Sequence, residues 1–216
     1  MDNCAPSDIT AIILAGGISR RFGRDKAVEP FAGEPMIRRV IHRSAEAVNA
    51  AEVLVVVGSL ERAGELPLDP QHRVAVDAFP NSGSLGGIYT GLLNAQTEWG
   101  LVTACDMPFL ESSLLQHMAH CRSGVDAVVP VRGGRPEPIH ALYSRRCLPA
   151  IHDRLLAGEL KISGFYDRVT VRYLLDDELK RFDPELWSFF NINRPEDLAL
   201  AAEREQRQSA HGYPLP

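Results

Sequence analysis

Five short apolar runs, Ile9 to Ala15, Val53 to Gly58, Arg73 to Val76, Gly100 to Ala104 and Ala127 to Val131, recur along this chain with amphipathic stretches between them. Each is rich in valine, leucine and isoleucine, and runs of this length bounded by turn residues predict strands buried on both faces. The intervening stretches Pro35 to Ala50, Gly86 to Ala95 and Glu111 to Cys121 carry apolar residues at helical spacing, as in Met36, Ile37, Val40 and Ile41. Strand, helix and strand in repetition predict a single-domain, Rossmann-like α/β fold whose mainly parallel sheet has helices on both faces. Further on, Arg145 to Leu156 and Lys161 to Tyr166 read as helical, and Val169 to Leu174 as a strand. In such sheets ligands sit beyond the carboxyl ends of the strands, so the segments that follow strands are where chemistry is expected.

Composition limits the partners. A chain of 216 residues with 45% hydrophobic content can bury a substantial core as one domain, although its length alone also allows two. A net charge of −5 argues against a general nucleic-acid-binding surface, so any anion must be met by a local cluster. Cys4, Cys105, Cys121 and Cys147 fall at irregular spacings that suggest neither a zinc site nor a redox pair, and they read as reduced thiols in the cytoplasm. The first residues lack a basic region and Ala11 to Ala15 is too short for a signal or membrane core, so no membrane partner is expected. Residues 1–8 read as an N-terminal extension, 9–208 as the domain, and 209–216 as a frayed or disordered tail.

The segment after the first run is the most informative. Leu14-Ala15-Gly16-Gly17 leaves the core and becomes cationic through Arg20, Arg21, Arg24 and Lys26 within a few residues. Glycine amides can approach phosphate oxygens closely, and arginine and lysine add forked and point charge, a composition suited to a polyphosphate. Gly23 is followed by Arg24, which breaks the P-loop spacing, and the pattern is not G-x-G-x-x-G either. The alternative is a tight turn with solvated arginines.

Three further segments stand out. Asp77 to Ile88 is a second glycine-rich loop leading into a helix, whose free amides can serve an anion or a base edge, or else the loop is a flexible turn capped by Ser84. Asp106 ends the fourth strand before Met107-Pro108, well placed to hold a hard divalent cation, or else to accept amide bonds in the turn. If Phe189 to Asn193 is extended, Asn191 and Asn193 share one face with Ile192 on the other, and Pro195 opens the last helix. Between these, Arg132 and Arg135 either meet an acidic second substrate or sit in a solvated loop. His140 reads as a packed polar residue in preference to a base.

Leu14-Ala15-Gly16-Gly17-x-Ser19-x-Arg21-Phe22-Gly23-x-x-Lys26 resembles the signature loop of nucleotidyltransferases, most closely the molybdenum cofactor guanylyltransferases. Cys105-Asp106-x-Pro108-Phe109-Leu110 and Asn191-x-Asn193-x-Pro195-Glu196-Asp197-Leu198 match the family's later motifs in order, so the resemblance spans nearly the whole chain. It departs at Phe22, where methionine is usual, and at Ser84, where the family has proline. The resemblance implies a nucleotide-diphospho-sugar transferase type of fold. It also implies a GTP site formed by Leu14, Ala15, Gly16, Gly17, Lys26, Asp77, Gly83, Gly87 and Asp106. Catalytic groups would be Arg21, Lys26 and Asp106, with Mg²⁺ on Asp106 and Asn193 and with Asn191 as a second nucleotide or metal contact. The implied reaction moves GMP from GTP to the terminal phosphate of molybdopterin and releases pyrophosphate, with room for transient contact with cofactor-delivery proteins. The Gly16-Gly17 pair leans towards guanine, because cytidylyltransferase relatives tend to have Leu-Ala-Ala-Gly. Transfer of CMP to molybdopterin, transfer of a nucleotide to a phosphosugar, and a nucleotide-binding module without turnover remain open from the sequence.

Overall fold

The computed structural model describes residues 8–16 and 25–210. Its strands are β1 (Ile9–Leu14), β2 (Pro30–Phe31), β3 (Glu34–Pro35), β4 (Glu52–Val57), β5 (Arg73–Val76), β6 (Trp99–Ala104), β7 (Ala127–Arg132), β8 (Arg135–Pro136), β9 (His140–Ser144) and β10 (Val171–Leu174). The helices are α1 (Met36–Ala47), α2 (Leu60–Glu65), α3 (Gly83–Asn94), α4 (Ser112–His120), α5 (Leu148–Leu156), α6 (Asp176–Leu179) and α7 (Pro195–Ala210). The main sheet runs β10-β7-β9-β6-β1-β4-β5, with β8 folded back on β7. All neighbours on this path are parallel except β9, which is antiparallel to both β6 and β7.

Alternation along the strands sends side chains to two separate cores. Ile9, Ile13, Val55, Val57 and Leu101 pack with α1 and α4 on one face, through Ile37, Val40, Ile41, Leu114, Leu115 and Met118. Ile12, Val56 and Val102 pack with α3 and α5 on the other, through Leu85, Ile88, Leu92, Ile151 and Leu155. The second interface is close: a Cβ on Gly91 would stand 2.5 Å from Ile12 Cγ2, and one on Gly100 would stand 2.4 Å from Ile12 Cδ1.

Four expectations change. Arg73–Val76 is not buried on both faces, because β5 is the edge of the sheet and only Ala75 of its four residues is buried. Phe189 to Asn193 joins no strand: a 3-10 turn at Trp187–Phe189 is followed by irregular chain, although Ile192 is still buried and Asn191 and Asn193 exposed. The helix expected from Arg145 begins as a 3-10 turn, Arg145–Cys147, before α5. The last helix runs through Ala210, two residues past the expected domain end. Among the described residues no helix is long and apolar enough to cross a membrane.

The chain passes from β1 through β4 to β5 on one side, then returns to lay β6 on the other side of β1. The loops after β1 and β6 therefore diverge at a topological switch point, where open sheets of this kind form a crevice.

Candidate active site

A cleft of about 570 Å³ opens at that switch point, lined by Leu14, Gly16, Gly58, Asp77, Gly83, Ser84, Gly87, Cys105, Asp106, Met107, Ile139 and Asn191 among others. Residues after four strands thus converge, as the sheet rule requires. Of the residues singled out in this loop, Gly17, Ser19, Arg20, Arg21, Phe22, Gly23 and Arg24 lie outside the described residues.

The two strand ends are tied together at the backbone. Ala15 N–H donates to Val56 O at 2.8 Å and Cys105 N–H to Leu14 O at 3.2 Å, so the glycine loop and the Asp106 turn start from one rigid edge. Gly16 packs on Gly58: a Cβ at position 58 would stand 3.1 Å from Gly16 O. This close approach accounts for the glycine that follows β4.

Lys26 closes the site from the far end of the loop. Its ammonium donates to Asn193 Oδ1 at 2.7 Å and to Asp106 Oδ2 at 3.3 Å, with only 8% of the residue exposed. Burial pushes the Asp106 carboxyl above its usual range, and the facing Lys26 charge pulls it back in part. The turn carrying Asp106 is braced from α1, where Arg39 Nε donates to Pro108 O at 3.1 Å and Arg43 to Leu110 O at 3.1 Å. Arg39 also forks onto both oxygens of Glu205, at 2.7 and 2.8 Å, which docks α7 against the same turn. Asn193 is fixed from both sides. Ile192 N–H donates to Asp106 O at 3.0 Å, and the Asp197 carboxylate accepts from Asn193 N–H at 2.7 Å and Arg194 N–H at 2.8 Å at the start of α7.

On the other side of the cleft, Asp77 is seated by its neighbours. Its Oδ1 accepts from Phe79 N–H at 3.0 Å and from the buried Thr90 hydroxyl at 3.1 Å, while Asp77 N–H donates to Val57 O at 2.8 Å. A Cβ on Gly86 would stand 3.0 Å from that same Oδ1, so Gly86 leaves the room Asp77 occupies. Gly87 is pressed on Leu14, with 3.1 Å from a would-be Cβ to Leu14 Cδ2. Gly83 adopts φ +59°, a conformation costly for side chains with a Cβ. Helix α3 begins here with no side-chain cap from Ser82, and Gly83 and Ser84 of its first turn line the cleft. Ser84 stands in the first turn of α3, where proline is also tolerated because the amide has no helical partner.

Other candidates lie elsewhere. Arg132 pairs with Glu137 at 2.8 Å and lies over Phe189, and Arg135 sits on the β7–β8 hairpin; neither lines the cleft. His140 is fully buried against Phe189, and burial pulls its pKa down to about 3, so it is neutral at physiological pH. Cys105 lines the cleft, but burial and the adjacent Asp106 charge push its thiol up to about 12, which leaves it protonated and unreactive. His117, Cys121 and Glu178 bring three donor types together on α4 and α6, yet Glu178 already receives Arg172 at 2.9 Å and His117 at 2.8 Å. That group is a charge-satisfied link between elements.

Residues 11–171 match the family model described as a MobA-like NTP transferase domain. The chain belongs to this family. It is 38% identical over 192 residues to a probable molybdenum cofactor guanylyltransferase of Pelotomaculum thermopropionicum, covering 89% of this chain and 91% of the relative. It is also 38% identical over 195 residues to the molybdenum cofactor guanylyltransferase of Desulfosudis oleivorans, covering 89% and 94%. The crystal structure of molybdopterin-guanine dinucleotide biosynthesis protein A from Archaeoglobus fulgidus superposes with a TM-score of 0.78 at 30% identity, over 92% of this chain and 99% of that one. As a MobA-like NTP transferase, the chain has its fold expectation met, with one domain whose mainly parallel main sheet is covered by helices on both faces.

Proposed function

We propose that the cleft binds GTP and transfers its GMP moiety to the terminal phosphate of molybdopterin, releasing pyrophosphate, in the cytoplasm. The observation that carries this reading is the meeting of Lys26 with Asn193 and with Asp106, which lines a switch-point cleft. The names of the relatives at 38% identity support guanine over cytosine and molybdopterin over a phosphosugar.

In this reading Leu14 to Gly17 and Lys26 hold the phosphates, and Asp77, Gly83 and Gly87 hold the nucleoside side. Asp106 and Asn193 supply the oxygen donors that a hard divalent cation prefers, with Asn191 beside them. The fit is supported by the structure's own cation: the two oxygens already converge on the Lys26 ammonium. Mg²⁺ bound to them would neutralise charge on the triphosphate.

The rest is positioning by the chain. An attacking phosphate is already anionic, so no base is needed, and neither buried neutral His140 nor protonated Cys105 is suited to act as base or nucleophile. Lys26, with Arg21, supplies positive charge to the phosphate oxygens that carry the transition-state charge, and the strand ends hold donor and acceptor in line.

Thermal shift with GTP, CTP, ATP and UTP, each with and without Mg²⁺, tests the nucleotide assignment. A Mg²⁺-dependent shift with GTP alone is expected. A shift with CTP alone would replace guanylyl by cytidylyl transfer, and no shift with any nucleotide would remove the enzymatic reading.

A further inference from the structure

Arg62, on the short helix that follows β4, is nearly as buried as any apolar residue, at 5% exposure. Its guanidinium forks onto Asp25, with Nη2 at 2.7 Å from Oδ1 and Nη1 against Oδ2. The same group donates from Nε to Ala15 O at 3.4 Å, and Nη1 also meets Glu65 at 3.1 Å. Ala15 is the last residue before the glycine pair, and Asp25 immediately precedes Lys26. One side chain therefore holds the point where the chain leaves the sheet and the point where it returns.

The electrostatics agree with a permanent pair. Its bonds to Asp25 raise the Arg62 pKa further, and although burial opposes it, the net effect on Asp25 is to hold its carboxyl below the usual range. Asp25 Oδ1 in turn accepts from Ala27 N–H at 3.1 Å, so the carboxylate fixes the backbone on both sides of Lys26. A lysine has four rotatable bonds, and its ammonium finds Asp106 and Asn193 only if its Cα is held in place.

We propose that Arg62 is a positioning residue that clamps both ends of the glycine and basic loop and, through Asp25, sets where Lys26 stands. It touches neither substrate nor metal. Its kinetic consequence rests on the nucleotidyl transfer proposed above.

The clamp can be read without any substrate. The chain has three lysines, and Lys161 and Lys180 are exposed, whereas Lys26 is buried. Brief acylation with an N-hydroxysuccinimide ester followed by mass spectrometry should leave Lys26 protected in the wild type. In Arg62→Ala its labelling relative to Lys161 and Lys180 should rise about tenfold or more, while kcat/KM for the nucleotide falls by roughly ten- to a hundredfold. Arg62→Lys, which restores charge without the fork, should recover only part of the loss. Asp25→Ala leaves the Arg62 bond to Ala15 O, so it should lose no more than Arg62→Ala, and the double variant should be no worse than Arg62→Ala alone, because Asp25 acts through the same clamp.

Unchanged Lys26 protection in Arg62→Ala, or losses that multiply in the double variant, overturns the clamp. A kcat/KM per folded molecule equal to wild type overturns it as well. If Arg62→Ala does not fold, Arg62→Lys and Asp25→Asn carry the same labelling test. If the wild type transfers no nucleotide, the proposed function falls, and the labelling alone decides the clamp.

Discussion

Lys26 Nζ lies 2.7 Å from Asn193 Oδ1 and 3.3 Å from Asp106 Oδ2, so an ammonium joins two oxygens from segments 87 residues apart. If those oxygens hold the divalent ion during turnover, the ammonium competes with it in the free protein. Lys26→Met is then expected to bind Mn²⁺ without nucleotide more tightly than the wild type, while transfer activity drops about a hundredfold or more. Mn²⁺ titration by electron paramagnetic resonance, set beside kcat/KM, checks both halves. Weaker Mn²⁺ binding in the variant would show that Lys26 supports the ion.

The glycines of α3 should separate by what they touch. Gly86→Ala places a methyl 3.0 Å from Asp77 Oδ1 and is expected to raise KM for the nucleotide about tenfold with little change in kcat. Gly91→Ala drives a methyl to 2.5 Å from Ile12 and is expected to cost roughly 1–3 kcal/mol of stability with kinetics per folded molecule unchanged. Urea unfolding and steady-state kinetics on the two proteins distinguish them. Identical kinetic effects would detach Asp77 from nucleotide binding.

His140 makes the fold sensitive to acid. Its folded pKa of about 3 lies below the ordinary 6.5, so the unfolded chain binds the extra proton first. Stability from this group is complete above about pH 6.5 and is lost as pH falls from there towards 3, with a slope of up to about 1.4 kcal/mol per pH unit. His140→Asn removes the titration and should flatten the stability curve between pH 6 and 4. An unchanged slope in denaturant titrations across that range would place the acid sensitivity elsewhere.

Much of this site was legible because its chemistry sits in contiguous motifs at strand ends. Gly16 and Asp106 could be placed just after strands from local patterns, whereas only the family resemblance set the two asparagines beside them. What stayed hidden depends on pairs far apart in the chain. Arg62 carries no signal in the sequence, because Asp25, which it pairs with, lies 37 positions away. Gly58 likewise shows its reason only where Gly16 O is found against it. The edge position of β5 and the reversed direction of β9 follow from strand order, which apolar runs do not encode. Asn191 to Asn193 kept the expected alternation of burial without becoming a strand, and Asp106 O accepts the Ile192 N–H bond that a sheet neighbour would have taken.

Guanylyl transfer is tested most directly by its product. The purified protein should be incubated with Mg²⁺, molybdopterin and GTP labelled at the α-phosphorus, with α-labelled CTP in parallel, and the pterin fraction analysed for label. The account predicts label from GTP in a dinucleotide, with one pyrophosphate released for each, and loss of both in Asp106→Asn. Label from CTP in preference to GTP, or full activity in Asp106→Asn, would contradict it.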